Sequence, residues 1–178
     1  METVDERALI TQVLEGDRQA ARQLYDAHAP RVYRVVYRLV GDQSLAEEFT
    51  QDTFVKAFSH LGTFRGESSL GTWIYTIAVS MVLNGLRKLR RQQAREADLE
   101  QAKRLYAAAE PEPDLHDRLI QAIEGLPEKF RTQVVLHDIE GFTHGEIARM
   151  TGVPEGTCKT RLMIGRARLR EELAAFAR

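Results

Sequence analysis

A chain of 178 residues with 43% hydrophobic and 29% charged side chains suits one or two small water-soluble domains. No apolar run approaches the ~20 residues of a membrane span, and METVDERALI lacks a signal-peptide core, so the expectation is a cytoplasmic protein with no direct membrane insertion. A single cysteine excludes an internal disulfide and any multi-cysteine metal site, and the net charge of −1 excludes a uniform polyanion-binding coat.

The charge is nevertheless blocked. Asp42 to Asp52 holds four acids and no base, whereas Leu86 to Arg95 holds five bases and no acid. Such blocks suit separate surfaces for separate partners.

Asp5 to Leu14 is an amphipathic helix candidate with Ala8, Leu9, Val13 and Leu14 inward, ended by Gly16. Asp17 is placed to cap the next helix, which runs towards His28 with Ala20, Leu24 and Tyr25 buried. Pro30 then starts a third, RVYRVVYRLV. Its β-branched residues would also suit a strand, but Val32, Val35, Val36 and Leu39 match i, i+3, i+4, i+7, and Gly41 is a natural stop. Ser44 and Glu47 form a capping box for LAEEFTQDTFVKAFSHL. Leu45, Phe49, Phe54, Ala57 and Phe58 line its inner side. Glu47, Glu48, Gln51 and Asp52 fall on or near the outer side, either as a solvated face or as a partner surface.

GTFRGESSLGT is a loop by composition. Ser68 or Ser69 caps a long helix, LGTWIYTIAVSMVLNGLRKLRR, whose apolar stripe includes Leu70, Ile74, Ile77 and Met81. Its basic end suits both a helix C-terminus and phosphates. Phe64, Trp73 and Tyr75 near those bases suit stacking on unpaired nucleobases, although core packing is the simpler reading of Trp73 alone. Periodicity then weakens, and Glu110-Pro-Glu-Pro-Asp is an extended acidic linker. Domains of 1–95 and 116–178 joined by 96–115 are expected, all-α throughout.

In the second half, His116 to Leu126 forms a helix, and Pro127 starts another with Phe130, Val134, Val135 and Ile139 inward. Next comes GFTHGEIARMTGVPEGTCKTRLMIGRARLR. Thr143-x-x-Glu146 is a capping box, Gly152 suits a left-handed turn, and Pro154 sits where a second helix begins. Cys158, Leu162, Leu169 and Leu173 make its buried stripe, which leaves Thr157, Lys159, Thr160, Arg161, Met163 and Arg166 exposed. Thr157 to Arg170 carries five bases and no acid, the pattern of a major-groove reader; an ordinary αα-hairpin with a solvated basic face is the plainer alternative.

No phosphate loop, G-x-S-x-G, H-E-x-x-H or C-x-x-C occurs, and the five histidines lack metal-ligand spacing. No catalytic constellation, cofactor or metal is therefore expected. Cys158 falls on the core stripe, with redox sensing as its minor alternative.

AEEFTQDTFVKAF, FRGESSLGTWIYTIAVSMVLNGLRKLRR and the segment from Leu126 to Leu173, in that order, resemble an extracytoplasmic-function sigma factor of the sigma-70 family over almost the whole chain. The resemblance implies a non-enzymatic promoter-specificity subunit in two helical domains. Its partners would be core RNA polymerase, promoter DNA and an anti-sigma factor, with a monomer when free. Glu47, Glu48, Gln51, Asp52 and Phe54 would bind core polymerase. Phe64, Arg65, Ser68, Trp73, Tyr75, Ser80, Asn84, Arg87, Lys88, Arg90 and Arg91 would hold the −10 element. Thr143, Glu155, Thr157, Lys159, Thr160, Arg161, Met163, Ile164 and Arg166 would read the −35 element. Ser80 stands where many members have Asn, and Cys158 where many have Val. An autonomous helix-turn-helix regulator is the rival, but it leaves Ser44 to Arg91 unexplained. A pure interaction protein would not need Lys159 or Arg161.

Overall fold

The computed structural model describes residues 6–97 and 115–174, and these are helical without any strand. The chain divides into two compact units, Met1–Val82 with Arg149–Gly152 and Leu83–Ala148 with Val153–Arg178. The expected linker 96–115 lies almost wholly outside the described residues.

The first unit is built from α1 (Glu6–Leu14), α2 (Arg18–Val40), α3 (Gln43–His60), a 3-10 turn at Leu61–Thr63 and the first part of α4 (Leu70–Ala97). Asp17 caps α2 by accepting from the N–H groups of Gln19 and Ala20. Val32, Val35, Val36 and Leu39 are all buried, as the 3.6-residue pattern requires. Gly41 ends α2 at φ +73°, a conformation that costs a residue with a Cβ.

Several expectations are corrected here. Pro30 does not start a helix; it lies inside α2. A proline in a helix interior costs about 3 kcal/mol. Burial of Leu24 and Ala29 before it and of four residues after it outweighs that cost, since each large aliphatic side chain contributes about 1.5–3 kcal/mol. Ser44 does not cap α3. Asp42, extended at φ −134°, accepts from Leu45 N–H and takes that place directly after Gly41. Ala8 and Leu14 are exposed, so α1 buries only Leu9 fully. On α3 the inner face also takes Thr50 and Thr53, whose hydroxyls donate at 2.6 Å to the carbonyls of Ala46 and Phe49.

The second unit contains the rest of α4, α5 (Leu115–Gly125), α6 (Glu128–Val134), the first part of α7 (His144–Thr151) and α8 (Glu155–Ala174). Leu126, Val134 and Leu162 form a core against which Leu169 packs. α6 passes into a π-helical turn, Val135–Ile139. The wider turn rotates the chain, so Ile139, expected inward, is 39% exposed. Pro154 stands one residue before α8, and its carbonyl accepts from Cys158 N–H at 3.0 Å.

Candidate nucleic-acid and protein interfaces

The α7–α8 pair shows how local chemistry sets the geometry of a helix-turn-helix. Thr143 N–H donates to Glu146 Oε2 at 2.8 Å, and Glu146 N–H donates to Thr143 Oγ1 at 3.3 Å. This reciprocal box starts α7. Gly152 at φ +69° makes the turn. Cys158, Leu162 and Gly165 bury one side of α8, so the opposite side is presented outward. Thr157, Lys159, Thr160 and Arg166 are exposed, Met163 is 64% exposed, and Arg161 and Ile164 are half-buried.

Four expected base-reading residues are engaged elsewhere. Thr143 is committed to the cap. Glu155 holds Lys159, Oε1 to Nζ at 2.8 Å. The hydrogen bond from Lys159 is the main reason that the Glu155 carboxyl is held below its usual range. Arg166 is clamped by Asp138, Nε to Oδ2 at 2.9 Å and Nη2 to Oδ1 at 2.5 Å. Thr157, Thr160, Arg161, Met163 and Ile164 remain as a contiguous surface at the helix start.

Sequence reasoning missed Gly165. A Cβ placed there would stand 2.9 Å from Val134 Cγ2 and 3.4 Å from the Phe130 carbonyl oxygen. The missing side chain lets α8 approach α6 closely. Its signal was its place on the Cys158–Leu162–Leu169 stripe. His137 and His144 were also missed. Their rings lie tilted against each other with centroids 4.4 Å apart, and His137 Nδ1 is 2.7 Å from the Phe142 carbonyl oxygen.

On α3, Glu47, Glu48, Gln51 and Asp52 are all exposed. Phe54 is not part of that surface. It is 3% exposed and packs its ring 4.7 Å from Tyr25. The exposed apolar residue beside the acids is Val55, at 70%.

The loop before α4 brings Phe64 and Trp73 together, ring centroids 5.5 Å apart, both half-buried. Arg65 and Ser68 are exposed beside them, and Gly66 turns the loop at φ +71°. Ser69 Oγ accepts from Thr72 N–H and caps α4. Trp73, Ser80, Asn84, Arg87 and Arg91 follow at steps of seven, four, three and four residues, hence along one helical stripe. Asn84 Oδ1 accepts from Arg87 at 3.1 Å. Lys88 and Arg90 are exposed to either side. Tyr75 is two residues off the stripe and 4% exposed, so it does not offer its ring to a base. Its companions Val79 and Val82 at i+4 and i+7 were the sequence signal for that burial.

No group of three or more potential metal-ligating side chains occurs among the described residues. No helix among them is long and apolar enough to cross a membrane.

Residues 24–92 match the family model of sigma-70 region 2, and residues 116–169 match that of sigma-70 region 4. The chain is 38% identical over 175 residues to the ECF RNA polymerase sigma factor SigE of Mycolicibacterium smegmatis, covering 89% of this chain and 65% of that relative's length. It is 30% identical over 176 residues to the ECF RNA polymerase sigma factor SigW of Bacillus subtilis, covering 92% of this chain and 94% of SigW. The sigma factor RpoE of Bartonella quintana, solved in complex with the anti-sigma factor NepR, superposes with a TM-score of 0.68 at 26% identity. That alignment covers 86% of this chain and 96% of RpoE. CnrH, solved with the cytosolic domain of CnrY, shares the fold at a TM-score of 0.65 and 22% identity, over 96% of this chain and 97% of CnrH.

Proposed function

This chain belongs to the extracytoplasmic-function sigma factors of RNA polymerase, in the sigma-70 family, and on that premise we propose that it directs core polymerase to promoters with paired −35 and −10 elements under anti-sigma control. The observation that carries this is the presence in one chain of two different surfaces whose chemistry suits nucleic acid. One is a capped helix-turn-helix with an exposed basic start. The other is a loop-and-helix stripe of aromatic, amide and arginine side chains.

The two surfaces suit two forms of DNA. α8 of the helix-turn-helix fits a duplex major groove, where a bidentate Arg or Lys contact to guanine discriminates by about 1–3 kcal/mol. Arg161 and Lys159 fill that role, with Thr157, Thr160 and Met163 fitting around them. Lys159 must leave Glu155 to do so, an exposed pair that costs little to open. The Phe64–Trp73 pair suits unpaired bases. Extruding a base costs a few kcal/mol, and stacking on an aromatic ring returns about 1–3 kcal/mol. Arg87, Lys88, Arg90 and Arg91 supply phosphate contacts that position the strand without reading it.

Core polymerase is the proposed partner of the acidic α3 face. Glu47, Glu48, Gln51 and Asp52 meet basic groups there, and exposed Val55 adds an apolar contact. Residues 1–95 and 116–178 are the proposed working domains, joined by 96–115. The anti-sigma factor would act by covering the polymerase-binding face. RpoE of Bartonella quintana, the solved relative at 26% identity, was captured with such a partner.

In-vitro transcription tests this reading. Purified core polymerase is supplied with genomic template, with and without this chain, and the 5′ ends are mapped. New starts preceded by a shared pair of elements are expected. No new starts, together with tight DNA binding by the chain alone, would instead favour an autonomous regulator.

A further inference from the structure

The exposed face of α2 has no assigned task. From Arg31 to Val40 the sequence RVYRVVYRLV contains three arginines, two tyrosines and no acid. The four buried aliphatic residues take one side of the helix. Arg31, Arg34 and Arg38, at i, i+3 and i+7, therefore share the other side with Tyr33 and Tyr37. The two tyrosine rings lie nearly parallel, 21° apart with centroids at 6.2 Å, and Tyr37 is 37% exposed. Large amphipathic rings left at the surface beside cations of one sign suit a polyanion that also carries stackable faces.

The same face reaches the first turns of α4. Arg31 stacks its guanidinium over the Tyr75 ring of α4 at 5.3 Å. A Cβ on Gly71, in the first turn of α4, would lie 3.5 Å from the His28 ring of α2. The arginine row thus begins where the loop that holds Phe64 and Trp73 enters α4.

We infer that Arg31, Arg34 and Arg38 with Tyr33 and Tyr37 form a second strand-holding surface, which takes the single-stranded promoter DNA continuing from the bases captured at Phe64 and Trp73. This rests on the sigma-subunit reading above. Arg34 and Arg38 bind phosphates, and Tyr37 gives a base or sugar an apolar platform. Tyr75 serves it from below by anchoring Arg31, which explains an aromatic residue that is buried yet next to the −10 loop.

The test uses the full chain, core polymerase and a template carrying a promoter mapped as above, with the −10 region pre-melted by a mismatched strand. Complexes are challenged with heparin across a salt series. Arg34→Ala with Arg38→Ala is expected to shorten complex lifetime about tenfold. It should also lower the salt slope of binding by about 1.4, from two lost contacts at roughly 0.7 each for a single strand. Arg34→Ala alone, at an exposed position that the fold does not need, should lower the slope by about 0.7. Arg34→Lys with Arg38→Lys should keep the slope, and Tyr37→Ala should shorten lifetime at constant slope. Affinity for core polymerase should not change. Unchanged lifetime and slope in the arginine-to-alanine variants would overturn the inference. So would loss of core binding, which would assign this face to an acidic protein surface. A wild-type chain that starts no transcription would overturn the sigma reading itself and is seen before any variant is made.

Discussion

Arg166 and Asp138, 28 residues apart in sequence, meet in a two-pronged ion pair that ties α8 to the π-helical turn after α6. The hydrogen bond to Asp138 is also the main reason that the Arg166 guanidinium is held more firmly protonated than usual. The arginine expected to reach a groove is thereby a brace of the helix that carries the proposed groove-reading residues. Because both partners keep solvent contact, the pair contributes at most about 1 kcal/mol. A double-mutant cycle with Arg166→Ala and Asp138→Ala should return a coupling of that size in chemical denaturation. Asp138→Ala alone should release a cation and strengthen non-specific DNA binding. An additive cycle would mean that the pair does not form in solution.

Gly165 makes a sharper steric test. Alanine would favour the helix by about 1 kcal/mol. Its Cβ, however, would stand 2.9 Å from Val134 Cγ2. Overpacking of this kind costs about 1–3 kcal/mol. The branched Val134 side chain is stiff, and the Phe130 carbonyl closes the other side. Gly165→Ala is therefore expected to lower the stability of the second unit. Adding Val134→Ala, which vacates the space, should recover part of the loss. A more stable Gly165→Ala variant would show that α6 and α8 part easily.

What was legible in the sequence was what is local. The Thr143–Glu146 box, the Gly152 turn and the Cys158 stripe depend on spacings of three to seven residues, and the structure holds each of them. Ser44 misled because Asp42, two residues earlier, is an equally good cap and already stands extended after Gly41. Pro30 misled because its penalty is local and the burial that outweighs it is tertiary. Ile139 was misplaced because a π turn breaks the 3.6-residue count on which the inward assignment depended. The Arg166–Asp138 pair had no signal at all, since nothing in either segment names its partner.

The acidic face of α3 and the basic start of α8 should fail separately. Glu48→Ala with Asp52→Ala removes two exposed charges. Core-polymerase affinity should fall several-fold at low salt and less at high salt, where the Debye length shortens. The melting temperature should hold. Lys159→Ala with Arg161→Ala should leave core affinity intact and reduce transcription from a −35-dependent promoter. If either pair abolished both activities, the assignment of separate surfaces would be wrong.

His144 makes stability depend on pH. His144 begins α7, where the helix dipole opposes a positive charge. Burial lowers its pKa below 6.5, with His137, Lys159 and Arg166 acting in the same direction and Glu155 opposing them. Its Nδ1 is buried without a hydrogen-bond partner. The unfolded chain therefore takes up a proton at this position more readily than the folded one. Stability is fully present above pH 6.5 and is lost as pH falls from there through the lowered folded pKa. Thermal melts between pH 8 and pH 5 should show this fall. His144→Gln, which keeps a polar side chain but does not titrate, should flatten the curve in that window. A wild-type curve that rose on acidification would reverse the sign and require an ion pair to His144 that outweighs its burial.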